Sequence, residues 1–546
     1  MGGFLSHLSP EQNLKCLDAT CGPIRGNIYR HNDKIVEGYL GIPFAKAPIG
    51  PLRFKKPVAS EKWAEPRDCY SYGPLCPQTG KLANFFTEEV MSNLEIAEDN
   101  CLTLNVFAPR WNEFPSGLPV MVYFYGGGFE IGTSQYHDYS ISGTLPLKNV
   151  ILVTVNYRLG PYGFLTTGDD VAKGNYGLWD QALALQWVQD HIGSFRGDPQ
   201  NVTIFGTSAG GVSVDLLALS PHSNRLFRRI MANSGSGFCD FAVRTKEVQA
   251  AVFKEFAEFH GYTENDSKSL LAWYNSQPVS KFTEFDGFQK SASGFLHFVP
   301  NFDEDFFPEP FDELRRKAPK IDALFTVGEY EGLEIGMYVL EGDGSDEEKL
   351  KKVVEESYGP DITDNFASVR KRILDAYQPT DNADSTKKLV EFLGDSFFNS
   401  GVLESAKSFA KHGNSVYLTS FDYFCKENPD PMTANWPFKA ASHGSEFKYI
   451  LGCSESQWTP TEEELKVMNM LGSYVTNFAK YGDPNCNSSS DTEKWEKYSL
   501  DRPLRYFKMD FPKCFMKDNF QNGRLEIYEE INRNGKQYQK IVHGKS

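Results

Sequence analysis

The segment from residue 202 to residue 219 constrains the fold of this chain more than any other segment. Residues 202–205 (Val-Thr-Ile-Phe) form a short β-branched and aromatic run, which is typical of a buried parallel strand. Gly-Thr-Ser-Ala-Gly follows at 206–210, and Ala209–Leu219 has the composition of a helix. A Gly-x-Ser-x-Gly turn between a strand and a helix is typical of a nucleophile elbow, which presents a strained serine at the carboxyl edge of a sheet. The segment therefore predicts an α/β fold with Ser208 as a nucleophile.

A second glycine-rich turn follows another apolar run. Residues 119–125 are mostly hydrophobic and indicate a buried strand, which ends in three consecutive glycines at 126–128. Glycines let a substrate oxygen approach the backbone N–H groups closely, and a serine nucleophile needs such donors for the oxyanion that forms in its reaction. We expect Gly127 and Gly128 to be oxyanion-hole donors, together with Ala209, which follows the serine and begins a helix. Taken alone, the triple glycine also fits an ordinary turn.

A serine nucleophile further needs a base and an acid, which follow it in the chain order Ser, Asp or Glu, His in folds with this elbow. Residues 321–328 form another apolar strand, and Glu329 and Glu331 stand at its end. We expect Glu331 to be the acid because Gly332 follows it on a turn, and Glu329 remains the alternative. His443 is the candidate base, since it lies in a loop of small residues after an aromatic strand at 416–421.

Motifs along nearly the whole chain resemble one family. They stand at 38–45, 51–54, 101–106, 125–129, 156–160, 177–181, 206–210, 298–300, 331–332, 443–444 and 477–485. The chain is similar to the type-B carboxylesterases of the cholinesterase-like α/β-hydrolase superfamily, including intracellular carboxylesterases of nematodes and other animals. The resemblance implies that Ser208, Glu331 and His443 are the catalytic triad. It also implies that Gly127, Gly128 and Ala209 form the oxyanion hole.

The fold expected from the resemblance is the α/β-hydrolase fold. It has a large central, mostly parallel sheet with helices on both faces. Residues 240–318 and 333–412 read as amphipathic helices and loops, which we expect to be helical insertions around the active-site gorge. The expected catalytic residues are spread over the chain, and no linker, repeat or low-complexity tract interrupts it. We therefore expect residues 1–546 to form a single domain.

The expected activity is serine carboxylic ester hydrolysis through an acyl-enzyme, with small to medium, mostly neutral esters as substrates. Thr207 stands where the family usually has glutamate before the serine, which disfavours a choline ester. Gly294 and Leu296 replace aromatic residues of acetyl-selective members, which suggests a roomier acyl pocket. Two alternatives remain open: an acyltransferase that uses the same triad, and a non-catalytic adhesion or scaffold protein.

The net charge and the absence of certain motifs exclude several classes of binding partner and cofactor. A formal net charge of −16 disfavours binding to nucleic acid and to anionic membrane surfaces, because like charges repel. The sequence has no cysteine–histidine cluster with zinc spacing and no phosphate-binding loop, so we expect no metal and no cofactor. It has neither a signal peptide nor a membrane-spanning apolar run, so we expect an intracellular, cytoplasmic enzyme.

Two further features concern modification. The N-terminal sequence Met-Gly-Gly-Phe-Leu-Ser fits the pattern for N-myristoylation of Gly2, with Ser6 in place. Residues 1–20 are then a lipidated extension, and a single myristoyl chain gives weak, reversible membrane association. Cys76 and Cys101 match a pair that is bridged in secreted relatives of the family. A reducing cytosol leaves such a pair as thiols, and an oxidising compartment favours the bridge.

Overall fold

The computed structural model describes residues 11–13, 15–78, 95–97, 100–111, 113–136, 138–340, 343–379, 384–429, 433, 435–452, 458–486 and 493–545. The strands are β1 (Glu11–Gln12), β2 (Leu17–Ala19), β3 (Gly22–Arg25), β4 (Asn27–His31), β5 (Lys34–Pro43), β6 (Arg67–Asp68), β7 (Thr103–Pro109), β8 (Leu118–Phe124), β9 (Ile151–Val155), β10 (Gly197–Thr207), β11 (Arg229–Asn233), β12 (Arg244–Thr245), β13 (Asn301–Phe302), β14 (Asp322–Gly328), β15 (Ser415–Phe421), β16 (Tyr506–Asp510) and β17 (Lys513–Lys517).

The α-helices are α1 (Asp138–Ser142), α2 (Gly160–Phe164), α3 (Tyr176–His191), α4 (Ala209–Leu219), α5 (Lys246–Phe259), α6 (Ser267–Ser276), α7 (Phe311–Lys317), α8 (Gly332–Leu340), α9 (Asp346–Ser357), α10 (Phe366–Ala376), α11 (Ser385–Gly394), α12 (Ser400–Lys411), α13 (Phe447–Leu451), α14 (Glu462–Tyr481), α15 (Glu526–Asn534) and α16 (Lys536–His543). A π-helical turn, Asp395–Asn399, joins α11 to α12.

One sheet of 12 strands organises the molecule, in the order β1-β4-β5-β7-β9-β8-β10-β11-β14-β15-β16-β17. Neighbouring strands from β9 to β16 pair in parallel, whereas the pairs at both ends of the sheet are antiparallel. The carboxyl ends of parallel strands meet at one edge, where ligands bind in open α/β sheets. The expected fold, with a large and mostly parallel sheet, is confirmed.

The sheet is covered on both faces, as its apolar strands require. Along β8, Val120 and Val122 join one buried apolar cluster, which includes residues of α3 and α4. Met121 and Tyr123 join a second cluster, which includes residues of α14. Because successive side chains of a strand point to opposite faces, the two clusters are two cores on either side of the sheet. This arrangement confirms the expected helices on both faces.

The strands and the helix that were expected to carry the site form at nearly the expected positions. The helix expected at Ala209–Leu219 is α4 with the same bounds, and the three strands expected at 119–125, 321–328 and 416–421 are β8, β14 and β15. The strand expected at 202–205 lies within β10, which already begins at Gly197. Between β11 and β15 the chain adds helices α5 to α12, which correspond to the two expected helical segments. Within the described ranges, no helix combines the length and the apolar character needed to cross a lipid bilayer.

The structure describes the predicted cysteine pair but not the predicted lipidation site. Cys76 and Cys101 are joined by a disulfide bond, with their Cα atoms 4.9 Å apart. Both residues are buried, so the bond lies inside the folded chain. Gly2 lies among residues 1–10, outside the residues that the structure describes.

Candidate active site

The elbow holds Ser208 in a conformation that few residues adopt. Ser208 has φ 55° and ψ −124° between the last residue of β10 and the first residue of α4. A β-carbon on Gly206 would lie 2.5 Å from the carbonyl of Gly210, and one on Gly210 would lie 2.0 Å from the Phe124 oxygen. No side chain fits at either glycine. The Ser208 N–H donates to the Asn233 carbonyl at 2.9 Å, which fixes the turn against β11.

The turn of three glycines lies beside the elbow because β8 and β10 are parallel neighbours, with Phe124 opposite Gly206. A β-carbon on Gly126 would lie 3.0 Å from Cβ of Ser208. Gly127 and Gly128 have φ values of +102° and +61°, which favour glycine.

Three backbone N–H groups at this place remain available. Within the described part of the chain, the N–H groups of Gly127, Gly128 and Ala209 donate to no protein acceptor. Ala209 is the first residue of α4, where a helix leaves its N–H groups without intrahelical partners. The site can therefore offer these donors to an oxygen atom of a ligand.

Glu331 and His443 form the second half of the site. Glu331 is fully buried on the turn between β14 and α8, and its Oε2 atom lies 2.6 Å from Nδ1 of His443. The Tyr330 N–H donates to the Ala441 carbonyl at 2.9 Å, which ties the turn of the acid to the loop of the base. An ionised carboxylate only accepts hydrogen bonds, so Nδ1 carries the proton and Nε2 is left as the acceptor.

The second oxygen of Glu331 is held as firmly as the first. Its Oε1 atom accepts hydrogen bonds from the Ser234 hydroxyl, at 2.6 Å, and from the Gly328 N–H. Ser234 directly follows β11, so the carboxyl ends of β11 and β14 both contribute to the placement of the acid. The carboxylate is oriented by donors from three different segments.

The electrostatics of the site make the imidazole a stronger base. Burial alone lowers the pKa of His443, but the charge and the hydrogen bond of Glu331 outweigh it and raise the pKa above its ordinary value of 6.5. Glu446, three residues after the histidine, is also buried. Burial first, and then the charge of Glu331, raise the pKa of Glu446 to about 7. The Asn233 side chain donates to Glu446 at 3.1 Å.

Apolar side chains surround these polar groups. The ring of Phe398 lies 4.3 Å from the ring of His443 and 5.4 Å from the ring of Phe241. Leu296 approaches the glycine turn, since a β-carbon on Gly128 would lie 2.8 Å from its Cδ2 atom. The histidine side chain keeps 11% of its surface exposed, so the site is shielded but not closed. Such surroundings suit an apolar substrate and strengthen charge interactions inside the site.

The structure pairs Glu331 with His443 and sets the glycine turn beside Ser208. The two halves meet where a β-carbon on Gly444 would lie 3.6 Å from Oγ1 of Thr207, the residue before Ser208. Glu331, and not the alternative Glu329, contacts the histidine. Within the described residues no group of three or more histidine, cysteine, aspartate or glutamate side chains is arranged to hold a metal ion. The sequence reasoning missed Ser234 and Glu446. Ser234 could have been found, because a polar residue directly after a parallel strand points to the active edge of the sheet.

Comparisons with known proteins extend over nearly the whole chain. The model described as the carboxylesterase family matches residues 13–528. Esterase cest-33 of Caenorhabditis elegans is 50% identical over 553 residues, covering 100% of this chain and 99% of that protein. The medium-chain fatty acyl-CoA hydrolase precursor of Anas platyrhynchos is 31% identical, covering 93% of this chain and 91% of that protein. Neuroligin-2 of Homo sapiens is 29% identical, covering 95% of this chain and 68% of that protein.

Proposed function

Because the chain belongs to the carboxylesterase family, we propose that it hydrolyses small to medium, mostly neutral carboxylic esters through an acyl-enzyme on Ser208. The family match confirms the expected class of enzyme, a carboxylesterase. Similarity to proteins named as an esterase and as an acyl-CoA hydrolase supports acyl-transfer chemistry. The observation that carries the proposed mechanism is the 2.6 Å contact of Glu331 with His443, on a loop whose Gly444 approaches Thr207 of the strained elbow.

The first half of the proposed reaction forms the acyl-enzyme. His443 Nε2 takes the proton of Ser208 while Oγ bonds to the ester carbonyl carbon, and Glu331 stabilises the imidazolium. The carbonyl oxygen becomes an oxyanion that accepts hydrogen bonds from the N–H groups of Gly127, Gly128 and Ala209. Each such donor contributes about 3 kcal/mol to transition-state stabilisation. His443 then protonates the leaving alcohol as the carbon–oxygen bond of the ester breaks.

The second half of the proposed reaction releases the acid. A water molecule gives its proton to His443 and attacks the acyl-enzyme carbonyl, and the same donors hold the second oxyanion. The carbon–oxygen bond to Ser208 breaks, the serine regains its proton, and the carboxylic acid leaves. An acceptor alcohol in place of water would make the protein an acyltransferase.

The test is hydrolysis of p-nitrophenyl acetate, butyrate and octanoate by the wild type and by Ser208→Ala. We expect the substitution to lower kcat by about 10⁴-fold or more. The matched control is Ser213→Ala, because Ser213 is buried on the same helix and contacts Gln181 instead of the site. We expect the control to keep its kcat within about threefold. A silent wild type, or equal losses in both variants, contradicts the proposal. Ester products formed with added alcohols would instead indicate acyl transfer.

We also propose that the enzyme is cytoplasmic and that a myristoyl group on Gly2 binds it weakly to membranes. The support is the N-terminal motif, and the proposal requires Met1 to be the initiator residue. Two measurements on the wild type and on Gly2→Ala test this proposal. The mass of the N-terminal peptide reports the modification, and co-sedimentation with vesicles reports membrane binding. Non-reducing peptide maps test whether Cys76 and Cys101 are bonded in the cell. The Cys76–Cys101 bond in the structure argues against a reducing location, and finding the pair bonded in the cell would overturn the cytoplasmic proposal.

A further inference from the structure

Glu130 connects the oxyanion turn to a second segment of the chain, residues 293–298. Glu130 is buried two residues after Gly128, and its N–H donates to the Gly127 carbonyl at 3.0 Å. Its Oε1 atom accepts hydrogen bonds from the backbone N–H groups of His297, at 2.9 Å, and Phe298, at 3.3 Å. The same oxygen lies 3.2 Å from Nδ1 of His297. One carboxylate thus holds the oxyanion turn and this segment together.

Arg244 holds the same segment from another side. Its guanidinium group donates to the carbonyl oxygens of Ser293 at 3.2 Å, Leu296 at 2.6 Å and His297 at 3.1 Å. The Gln249 amide adds a hydrogen bond to the His297 carbonyl at 3.0 Å. Arg244 is itself buried, so these hydrogen bonds replace its contacts with water. The backbone of the segment is therefore fixed by charged groups on both sides.

The side chain that this arrangement controls is Leu296. Its Cδ1 and Cδ2 atoms lie 3.3 Å and 2.8 Å from the place where Gly128 would carry a β-carbon. In the proposed reaction the ester oxygen lies against the Gly128 N–H, and the leaving alcohol lies near His443, which protonates it. The remaining substituent of the carbonyl carbon is the acyl chain. Leu296 therefore borders the place where the ester carbonyl would bind, and the acyl chain is the substituent whose length it can limit.

We infer that Glu130 is a positioning residue that holds Leu296 against the oxyanion turn and thereby limits the length of the acyl chain. The inference rests on the proposed ester hydrolysis and names its selectivity. Loss of the carboxylate leaves the backbone N–H groups of half-buried His297 and buried Phe298 without this acceptor. Unpaired polar groups in a water-poor place are unfavourable, so the segment shifts and Leu296 moves away from Gly128.

The test compares kcat/KM for p-nitrophenyl octanoate with kcat/KM for p-nitrophenyl acetate. We expect Leu296→Ala to raise the octanoate-to-acetate ratio by about tenfold or more, since a pocket of changed size discriminates chains by this order. We expect Glu130→Ala to raise the ratio in the same direction. Glu130→Gln keeps a carbonyl oxygen for the two N–H groups and should restore a ratio near that of the wild type.

The matched control is Glu255→Ala. The Glu255 side chain accepts a hydrogen bond from the Ser291 N–H at 2.9 Å, just outside the segment that Glu130 holds. We expect its octanoate-to-acetate ratio to stay within about twofold of the wild type. Thermal unfolding of each variant separates a loss of stability from a change in selectivity.

A double variant and an exchange measurement decide the outcome. If Glu130 acts through Leu296, Glu130→Ala combined with Leu296→Ala changes the ratio no further than Leu296→Ala alone. Full additivity, or an unchanged ratio in Glu130→Ala, overturns the inference. Hydrogen–deuterium exchange of residues 293–298 does not depend on activity, and we expect it to be faster in Glu130→Ala. If the wild type cleaves no ester but this exchange is faster, the proposed function fails while the positioning contact stands; unchanged exchange overturns the contact itself.

Discussion

Replacement of Glu331 by glutamine tests how the buried acid sets the proton positions of the site. The carboxylate accepts from two donors at Oε1, the Ser234 hydroxyl and the Gly328 N–H, and from His443 at Oε2. A glutamine in the same place has only one oxygen. That oxygen faces the two donors at the Oε1 position, so the amide N–H₂ group faces His443 Nδ1. The imidazole must then accept at Nδ1 and carry its proton on Nε2, where it cannot take the proton of Ser208.

The loss expected from this tautomer change is large. An acid-to-amide change with the geometry kept costs about 10⁴-fold in kcat in serine proteases, because the histidine is held in the wrong tautomer. This factor corresponds to about 5 kcal/mol of transition-state stabilisation. The assay is hydrolysis of p-nitrophenyl butyrate under saturation, with thermal unfolding to show that Glu331→Gln is folded. The KM should change little, since Glu331 does not contact the substrate.

Glu329→Gln is the matched control, since Glu329 lies two residues earlier at the end of the same strand and is the alternative acid from the sequence. Burial, followed by the charge of Asp422, raises the pKa of Glu329 to about 7, so this side chain is also perturbed. We expect its kcat to stay within about threefold of the wild type. The reasoning is refuted if folded Glu331→Gln keeps more than about a tenth of the wild-type kcat, where about 10⁻⁴ is expected. Equal losses in both variants would refute it as well.

Three further predictions concern pH, the elbow and the core. The pKa of His443 is raised above 6.5 and the base must be neutral, so kcat/KM should fall as the pH drops through a value above 6.5; an inflection near pH 6 or below contradicts this. Gly210→Ala puts a β-carbon 2.0 Å from a backbone oxygen of β8 and should cost about 3 kcal/mol or more in denaturant unfolding. Gly193→Ala, with no described atom within 4 Å of the new carbon, should change stability by less than about 1 kcal/mol. Arg158→Met leaves the fully buried Asp180 carboxylate without its ion pair and should cost about 3–5 kcal/mol; a loss below about 1 kcal/mol would contradict this.

The sequence predicts those parts of the molecule whose signals are local. The apolar strand, the Gly-x-Ser-x-Gly turn and the helix Ala209–Leu219 are adjacent in the chain, and each has a composition that fits only one kind of element. The glycines at 206 and 210 could be explained in advance, because a tight strand–turn–helix connection excludes a β-carbon. The apolar composition of β8, β14 and β15 is a local signal too, and their predicted bounds lie within one residue of the observed ones.

Contacts between residues that are far apart in the chain could not be predicted from these local signals. Ser234 and Glu331 are 97 residues apart, and Glu130 and His297 are 167 residues apart. No spacing or periodicity in the chain links such pairs, because their contact is created by the order of the strands. The choice of Glu331 over Glu329 rested on the glycine that follows Glu331 and on the family resemblance, and not on any contact that the sequence could show. Both carboxylates follow the same strand, and only the direction of the turn after β14 decides which one reaches the histidine.

The register of the central strands is what keeps the site assembled. Gly206 lies opposite Phe124, Thr207 opposite Asn233, and Gly328 opposite Phe421, so the strand ends that carry the site are all set by neighbouring pairs. A shift by one residue moves a strand by about 3.3 Å along its neighbour. That shift exceeds the 2.6 Å contact between the acid and the base. It also turns every side chain of the strand to the opposite core, which the two apolar clusters forbid. The two buried cores therefore fix the distances within the proposed catalytic site as well as the stability, and a substitution far from Ser208 that loosens the register should lower kcat before it unfolds the chain.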